Sequence, residues 1–258
     1  MKKAFSLLWL LLVAAPGIFA KNSTKITIAA AADLKYAMDE IVTEFRKVNS
    51  ESAVEVVYGS SGRANTQILQ GAPYDMFFCA DIKYPLELYK KGFAASDVKT
   101  YAWGRIVLWS STIETSKLTI SNLSDPSISH IAIANPAHAP YGERAYEVLK
   151  SLGLWEKLEK KLVYGENIAQ AAPFVVSGNA EVGIIALSIV QNPEMQKKGY
   201  YVLIPDTLHT PLEQGYIILK RAADNKLAKS FADFMESNLS RTIMKKYGFI
   251  LPGEKEKF

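Results

Sequence analysis

The feature that most limits the fold of this chain is a repeated switch of hydrophobic period. Short apolar or alternating runs give way, again and again, to stretches with apolar residues three and four apart. "KITIAAA" (25–31) is strand-like, and after it Leu34, Ala37, Met38, Ile41, Val42 and Phe45 fall on one helical face. "SAVEVVYG" alternates and stops at Gly59; Ser60, Ser61 and Gly62 then open a helix closed by "GAP" (71–73). "YDMFFCA" reads as a buried strand and "KYPLELYKKG" as a short helix. The pattern restarts with the strands "RIVLWSS" and "ISHIAIANP" and the helix "GERAYEVLKSLG". "ENIAQAAPFVVSG" is helical despite Pro173, and "AEVGIIAL", "GYYVLIP" and "EQGYIILK" are strands. Helical "NKLAKSFADFMESN" and "SRTIMKKYG" complete the chain.

Alternating strands and helices predict an α/β protein with mostly parallel sheets covered by helices on both faces. Two such series predict two Rossmann-like lobes. The last helices have no strand of their own, so they return to the first lobe and the chain crosses between lobes twice. The expected division is a signal peptide at 1–20, lobe 1 at 21–104 plus 216–258, and lobe 2 at 105–215. Ligands of open parallel sheets bind beyond the carboxyl ends of the strands. Two facing lobes bring those ends around one cleft.

The first twenty residues have the layout of a secretory signal peptide: Lys2 and Lys3, the apolar "AFSLLWLLLVAA", then Pro16, Gly17 and a small residue, Ala20. No later run matches that apolar length, so the mature chain is expected to be soluble. The one cysteine, Cys79, lies inside "MFFCAD", where it reads as a buried small hydrophobe. It is too far from the signal peptide to carry a lipid, which points to the periplasm of a Gram-negative cell. A lone cysteine also excludes an intramolecular disulfide. The net charge of +4 comes from scattered Lys and Arg, with no basic stripe to mark a nucleic-acid partner.

Three strand-to-helix junctions are rich in small residues and polar donors: Ala31-Ala32-Asp33, Gly59-Ser60-Ser61-Gly62 and Ala139-Pro140-Tyr141-Gly142. A fourth, Glu166-Asn167-Ile168, opens the helix after Gly165. Each exposes unpaired backbone N–H groups at a positive helix end, and several converging on one cleft suit a small anion. Taken singly, Asp33, Ser60 and Ser61 also read as plain helix caps. Enzyme signatures are weak. "GSSG" is not a nucleophile elbow, and His130, His138 and His209 match no metal-ligand motif. His138 reads as a solvated loop residue, and Asp75 and Asp81 as local caps or pairs. No cofactor is expected.

The stretches "AAAADLKYAMDEIVTEF", "YGSSGRANTQILQGAPYDMFFCAD", "NPAHAPYGERAYEVLKSLGLW", "ENIAQAAPFV" and "KKYGFILP" resemble the periplasmic molybdate-binding proteins of ABC transporters. The resemblance covers nearly all of the chain after the signal peptide. It implies a type II periplasmic-binding fold that captures molybdate, and tungstate with it, and delivers the oxyanion as a monomer to a permease in the inner membrane. By the same resemblance the ligand-binding residues are Ala32, Asp33, Ser60, Ser61, Tyr141 and Ile168, with the molybdate or tungstate oxyanion held at Asp33, Ser61, Tyr141 and Ile168. A tyrosine that many relatives carry after the "GI" strand is replaced here by Ala186, and the Tyr141 hydroxyl is the expected substitute. The alternatives are a receptor for sulfate, chromate or a carboxylate, an enzyme on the same fold, and the sensor domain of a regulator.

Asp33 departs from the family pattern, because a carboxylate repels a dianion that has no proton to share. Three roles are open to it. It can turn away and cap the helix, stay protonated and donate a hydrogen bond, or coordinate the metal centre or a different ligand.

Overall fold

The computed structural model describes residues 25–254. The signal-peptide reading of 1–20 and the last residues of the C-terminal tail lie outside them. The first part of the chain forms β1 (Lys25–Ala31), α1 (Lys35–Val48), β2 (Ala53–Gly59), α2 (Ser61–Leu69), β3 (Met76–Cys79), α3 (Lys83–Lys90) and β4 (Lys99–Gly104). The second part forms β5 (Ile106–Ser110), β6 (Ile131–Ala134), α4 (Pro140–Ser151), α5 (Trp155–Leu158), β7 (Leu162–Gly165) and α6 (Ile168–Val176). It continues with β8 (Val182–Ala186), α7 (Leu187–Val190), α8 (Pro193–Gln196) and β9 (Tyr200–Leu203). The chain then returns through β10 (Leu212–Ile218), α9 (Lys226–Met235) and α10 (Asn238–Lys246).

Two five-stranded sheets result, in the orders β2-β1-β3-β10-β4 and β7-β6-β8-β5-β9. In the first sheet β1 pairs in parallel with β2 and β3, whereas β10 is antiparallel to both β3 and β4. The second repeats this plan: β6 is parallel to β7 and β8, and β5 is antiparallel to β8 and β9. The two reversed strands are the ones that have just crossed between lobes. A parallel strand leaves its sheet at the cleft, so the next strand enters the other sheet from the cleft and must run away from it.

The return strand begins at Leu212, next to the expected "EQGYIILK" strand but ahead of the expected lobe boundary at 216. Leu212 already pairs with Gly104, so the first sheet resumes before residue 216. Gln214, inside that strand, is fully buried and hydrogen-bonded.

The expected face of α1 is the buried one, with Ala37, Met38, Ile41, Val42 and Phe45 turned inward. Phe45 meets Phe231 of α9 edge-on at 5.1 Å between ring centroids. That contact fixes the returning helices over the first sheet. Burying one such ring contributes about 1.5–3 kcal/mol. Trp109 of β5 is the largest fully buried side chain and anchors the second core.

Candidate ligand site between the lobes

The carboxyl ends of β1, β2, β6 and β7 each lead into a helical turn, and these turns meet between the lobes. Ala31, Ala32, Asp33, Gly59, Ser60, Ser61, Ala80, Ala139, Pro140, Tyr141, Asn167 and Ile168 line one cavity of about 200 Å³ in all. Such a space suits a guest of a few atoms and excludes a sugar or a peptide. All six residues expected from the sequence, Ala32, Asp33, Ser60, Ser61, Tyr141 and Ile168, lie on this wall.

Local chemistry decides which donors remain for a guest. In α4 the first residue is Pro140, which has no N–H, so Tyr141 carries the first amide of the helix; Gly142 and Glu143 both donate to the Ala139 carbonyl. In α6 the cap Asn167 accepts from the amides of Ala169 and Gln170 at 3.0 and 3.2 Å. The Ile168 amide is the one that this cap leaves over, and a first-turn amide has no carbonyl within its own helix. Ser61, the first residue of α2, accepts at Oγ from the Ala80 amide at 3.1 Å. That bond does not use its own hydroxyl proton, which faces a choice between the neighbouring Cys79 sulfur and the cavity that Ser61 lines.

Ser60 behaves differently. It sits at the cap position of α2 without a side-chain capping bond. Its Oγ instead donates to Glu166 Oε1 at 3.3 Å and lies 2.9 Å from His138 Nδ1, both in the other lobe. His138 is thus a bridging residue rather than a solvated loop histidine. Burial holds its pKa below the ordinary imidazole value, helped by the Arg63 charge and opposed by Glu166.

Asp33 is buried beside the cavity and does not cap a helix. The competing partners are better placed. Tyr141 Oη donates to its Oδ2 at 2.9 Å, and Gln214 Nε2 donates to the same oxygen at 2.7 Å. Gln214 is oriented in turn by Tyr101, whose hydroxyl donates to Oε1 at 2.7 Å. Ser188 Oγ donates to the Asp33 carbonyl at 2.8 Å. The other carboxyl oxygen, Oδ1, is buried without a partner. Burial pushes the Asp33 carboxyl up to about 6, against the pull of the bonds from Gln214 and Tyr141 and of nearby backbone N–H groups. The Tyr141 hydroxyl, expected to replace the missing tyrosine at Ala186, is committed to Asp33. Ala186 itself is buried at the end of β8, outside the cavity wall.

This cluster needs a residue without a side chain at Gly104. A Cβ there would stand 2.2 Å from Tyr141 Oη and 2.6 Å from Gln214 Nε2. Gln214, Tyr101 and Ser188 are neighbours of the Asp33 cluster that motif reading missed. Gln214 carried one usable signal, an amide inside a strand bounded by apolar residues.

Around the cavity the lobes touch through charge. Arg144 Nη2 lies 2.8 Å from Glu143 and 3.5 Å from Asp81, and Lys83 Nζ lies 2.6 Å from Glu143. On the opposite rim Arg63 lies 3.3 Å from Glu166. Between them the Gly62 amide donates to the His138 carbonyl at 2.9 Å, and a Cβ at Gly62 would come within 2.7 Å of that oxygen. This is a closed cleft. Asp81 caps locally, accepting from the Lys83 amide, while also facing Arg144 of the other lobe; Asp75 is not a local cap, since it accepts from the distant Thr27 amide and pairs with Arg221. Cys79 is fully buried and its thiol is pushed up to about 12 by that burial, so it is a poor nucleophile.

The family model for bacterial extracellular solute-binding proteins matches residues 26–250. The chain belongs to that family. This solute-binding protein is 36% identical over 231 residues to the molybdate-binding protein ModA of Rhodobacter capsulatus, with 88% of each chain covered. Its fold superposes on the periplasmic molybdate-binding protein of Azotobacter vinelandii with a TM-score of 0.81 at 32% identity, covering 88% of this chain and 99% of the other. The sulfate-binding protein SubI of Mycobacterium tuberculosis shares the fold alone, with a TM-score of 0.73 at 16% identity over 90% and 88% of the two chains. The two-lobe architecture of the solute-binding protein is that of periplasmic binding proteins.

Proposed function

We propose that this solute-binding protein is an extracytoplasmic receptor, periplasmic in a Gram-negative cell. It closes over molybdate, or tungstate, and hands it to an ABC permease without performing chemistry on it. The observation that carries the reading is the small cavity where helix starts from both lobes meet, walled by neutral donors and the Asp33 carboxyl. A tetrahedral oxyanion presents four acceptor oxygens and no apolar surface. The Ser61 hydroxyl and the amides of Tyr141 and Ile168 are matched to such a guest, and they approach it from both lobes. Binding therefore stabilises the closed form by hinge motion.

Hydrogen bonds to a charged acceptor contribute roughly 1.5–3 kcal/mol each. A handful of them reaches the roughly −8 kcal/mol of micromolar binding after ordering costs. Sulfate carries the same charge on shorter bonds, so a rigid cage that fits molybdate leaves sulfate short of some of its donors. Tungstate is close to molybdate in size and is bound by the same set. The relatives named molybdate-binding support the choice of cargo.

A thermal-shift and calorimetric screen of molybdate, tungstate, sulfate and phosphate tests the reading. A large rise in melting temperature with molybdate and tungstate, and little with sulfate, is expected. No response to any tetrahedral anion overturns it.

A further inference from the structure

We propose that Asp33 binds the oxyanion as a neutral acid: its proton sits on Oδ1 and is donated to one oxygen of the guest, so that capture takes up a proton. The inference rests on the oxyanion reading above and assigns Asp33 the role of a hydrogen-bond donor.

The geometry selects which carboxyl oxygen holds the proton. Oδ2 receives two donated bonds, from Tyr141 Oη and Gln214 Nε2, and is thereby fixed as an acceptor. The Gln214 amide cannot turn its oxygen toward Asp33 without losing the bond from Tyr101 to Oε1. That leaves Oδ1, which is buried on a residue that lines the cavity and has only the neighbouring Asp33 and Leu34 amides near the carboxyl, neither in full hydrogen-bond geometry. A carboxylic acid with its carbonyl oxygen doubly bonded and its O–H turned to an anion satisfies every polar atom of the group.

No positive charge offers an ionised Asp33 an alternative. The cavity wall contains no Lys, Arg or His among the described residues. The titratable groups that act on Asp33 from neighbouring strands and helices are Tyr101 on β4, Tyr141 on α4 and Cys79 on β3. All three are pushed up by burial, Cys79 to about 12 and both tyrosines well above their ordinary value, so they stay neutral near pH 7. From β10 and α7 the facing groups are the Gln214 amide and the Ser188 hydroxyl, both uncharged. Lys35, two residues along, is paired with Asp39.

Magnitudes favour protonation. A carboxylate about 4 Å from a dianion, at an effective dielectric near 20, weakens binding by on the order of 10⁶-fold. Neutralising an acid that titrates at about 6 costs only about tenfold at pH 7. The proton is taken from solvent when the oxyanion binds and returns to solvent when it leaves.

The test is calorimetry with molybdate on the full mature protein between pH 5 and pH 8, each point in two buffers of different ionisation enthalpy. The expected result is uptake of close to one proton per molybdate at pH 8 and close to none at pH 5. Affinity should fall about tenfold per pH unit above the Asp33 midpoint. Asp33→Asn, which keeps a donor at the Oδ1 position, should bind with a flat pH profile and no proton uptake. Gln214→Leu removes one bond that favours the carboxylate and should move the wild-type midpoint to higher pH, which a purely structural role would not do. Wild-type binding with no proton uptake and no pH dependence overturns the inference and leaves the receptor reading standing. Failure of molybdate and tungstate to bind at any pH in this range overturns the receptor reading itself.

Discussion

The cavity and the rim around it use opposite chemistry. The wall is neutral apart from one carboxyl and offers amides and hydroxyls. The rim is a belt of ion pairs in which Arg144, Asp81, Lys83 and Glu143 lie on one side and Arg63 and Glu166 on the other. The difference separates two tasks. Charges that meet across the rim hold the lobes together and remain partly in water, where salt and solvent weaken them. In the proposed reading, neutral donors inside recognise a small anion by direction and distance and leave no cation stranded when it departs. A cationic wall would bind many anions; a neutral one is stricter about size.

The comparison can be broken at several points. The largest expected effect is on Asp33, the one ionisable carboxyl in the neutral wall. Its carboxyl titrates near 6 rather than near 3.8, so the folded state holds this proton more tightly than the unfolded chain. The stability it lends is fully present below about pH 4, is lost as pH rises to about 6, and is level above. Asp33→Asn should therefore raise unliganded stability near pH 7 by about 3 kcal/mol and change little at pH 4. Urea melts at the two pH values measure this, and equal effects at both would refute it.

On the rim, Arg144→Leu leaves Asp81, Glu143 and Glu147 short of their shared cation. The Arg144 side chain is 6% exposed, and breaking a buried pair costs about 3 kcal/mol at the low end of the usual range. The loss should fall on the closed form, read as faster molybdate release in stopped flow. Ser61→Ala, inside the wall, removes one donor and strands the Ala80 amide. A drop in affinity of roughly ten- to 150-fold is expected by calorimetry, and full affinity would count against the site. The smallest effect belongs to Arg63→Ala. Arg63 is 58% exposed, so less than about 1 kcal/mol should be lost, and raising salt on the wild type should mimic it.

The fold was legible because the period of apolar residues changes cleanly between strands and helices. The face of α1 and the turns after β1, β2, β6 and β7 follow from spacing and small polar residues. Strands β4 and β7 carried no clear alternation; "KTYAWG" and "LVYG" are short and mix exposed with buried positions. The wall of the site was legible through its helix starts and its family likeness. The partners of Asp33 were not. Gln214 and Tyr101 lie 181 and 68 residues away along the chain, and the bond from Gln214 exists because β10 returns to the first sheet. The capping role suited the local sequence at Asp33, but capping is a local competition, and two long-range donors to Oδ2 win it.

The reversed strands also set an order of assembly. The second sheet is drawn from one unbroken stretch of chain, β5 to β9, whereas the first sheet cannot place β4 beside β3 until β10 is available to stand between them. During synthesis the second lobe has its strands together while the first is still waiting for its bridging one. Gln214 arrives on that strand, so the Asp33 cluster is among the last parts of the molecule to be completed.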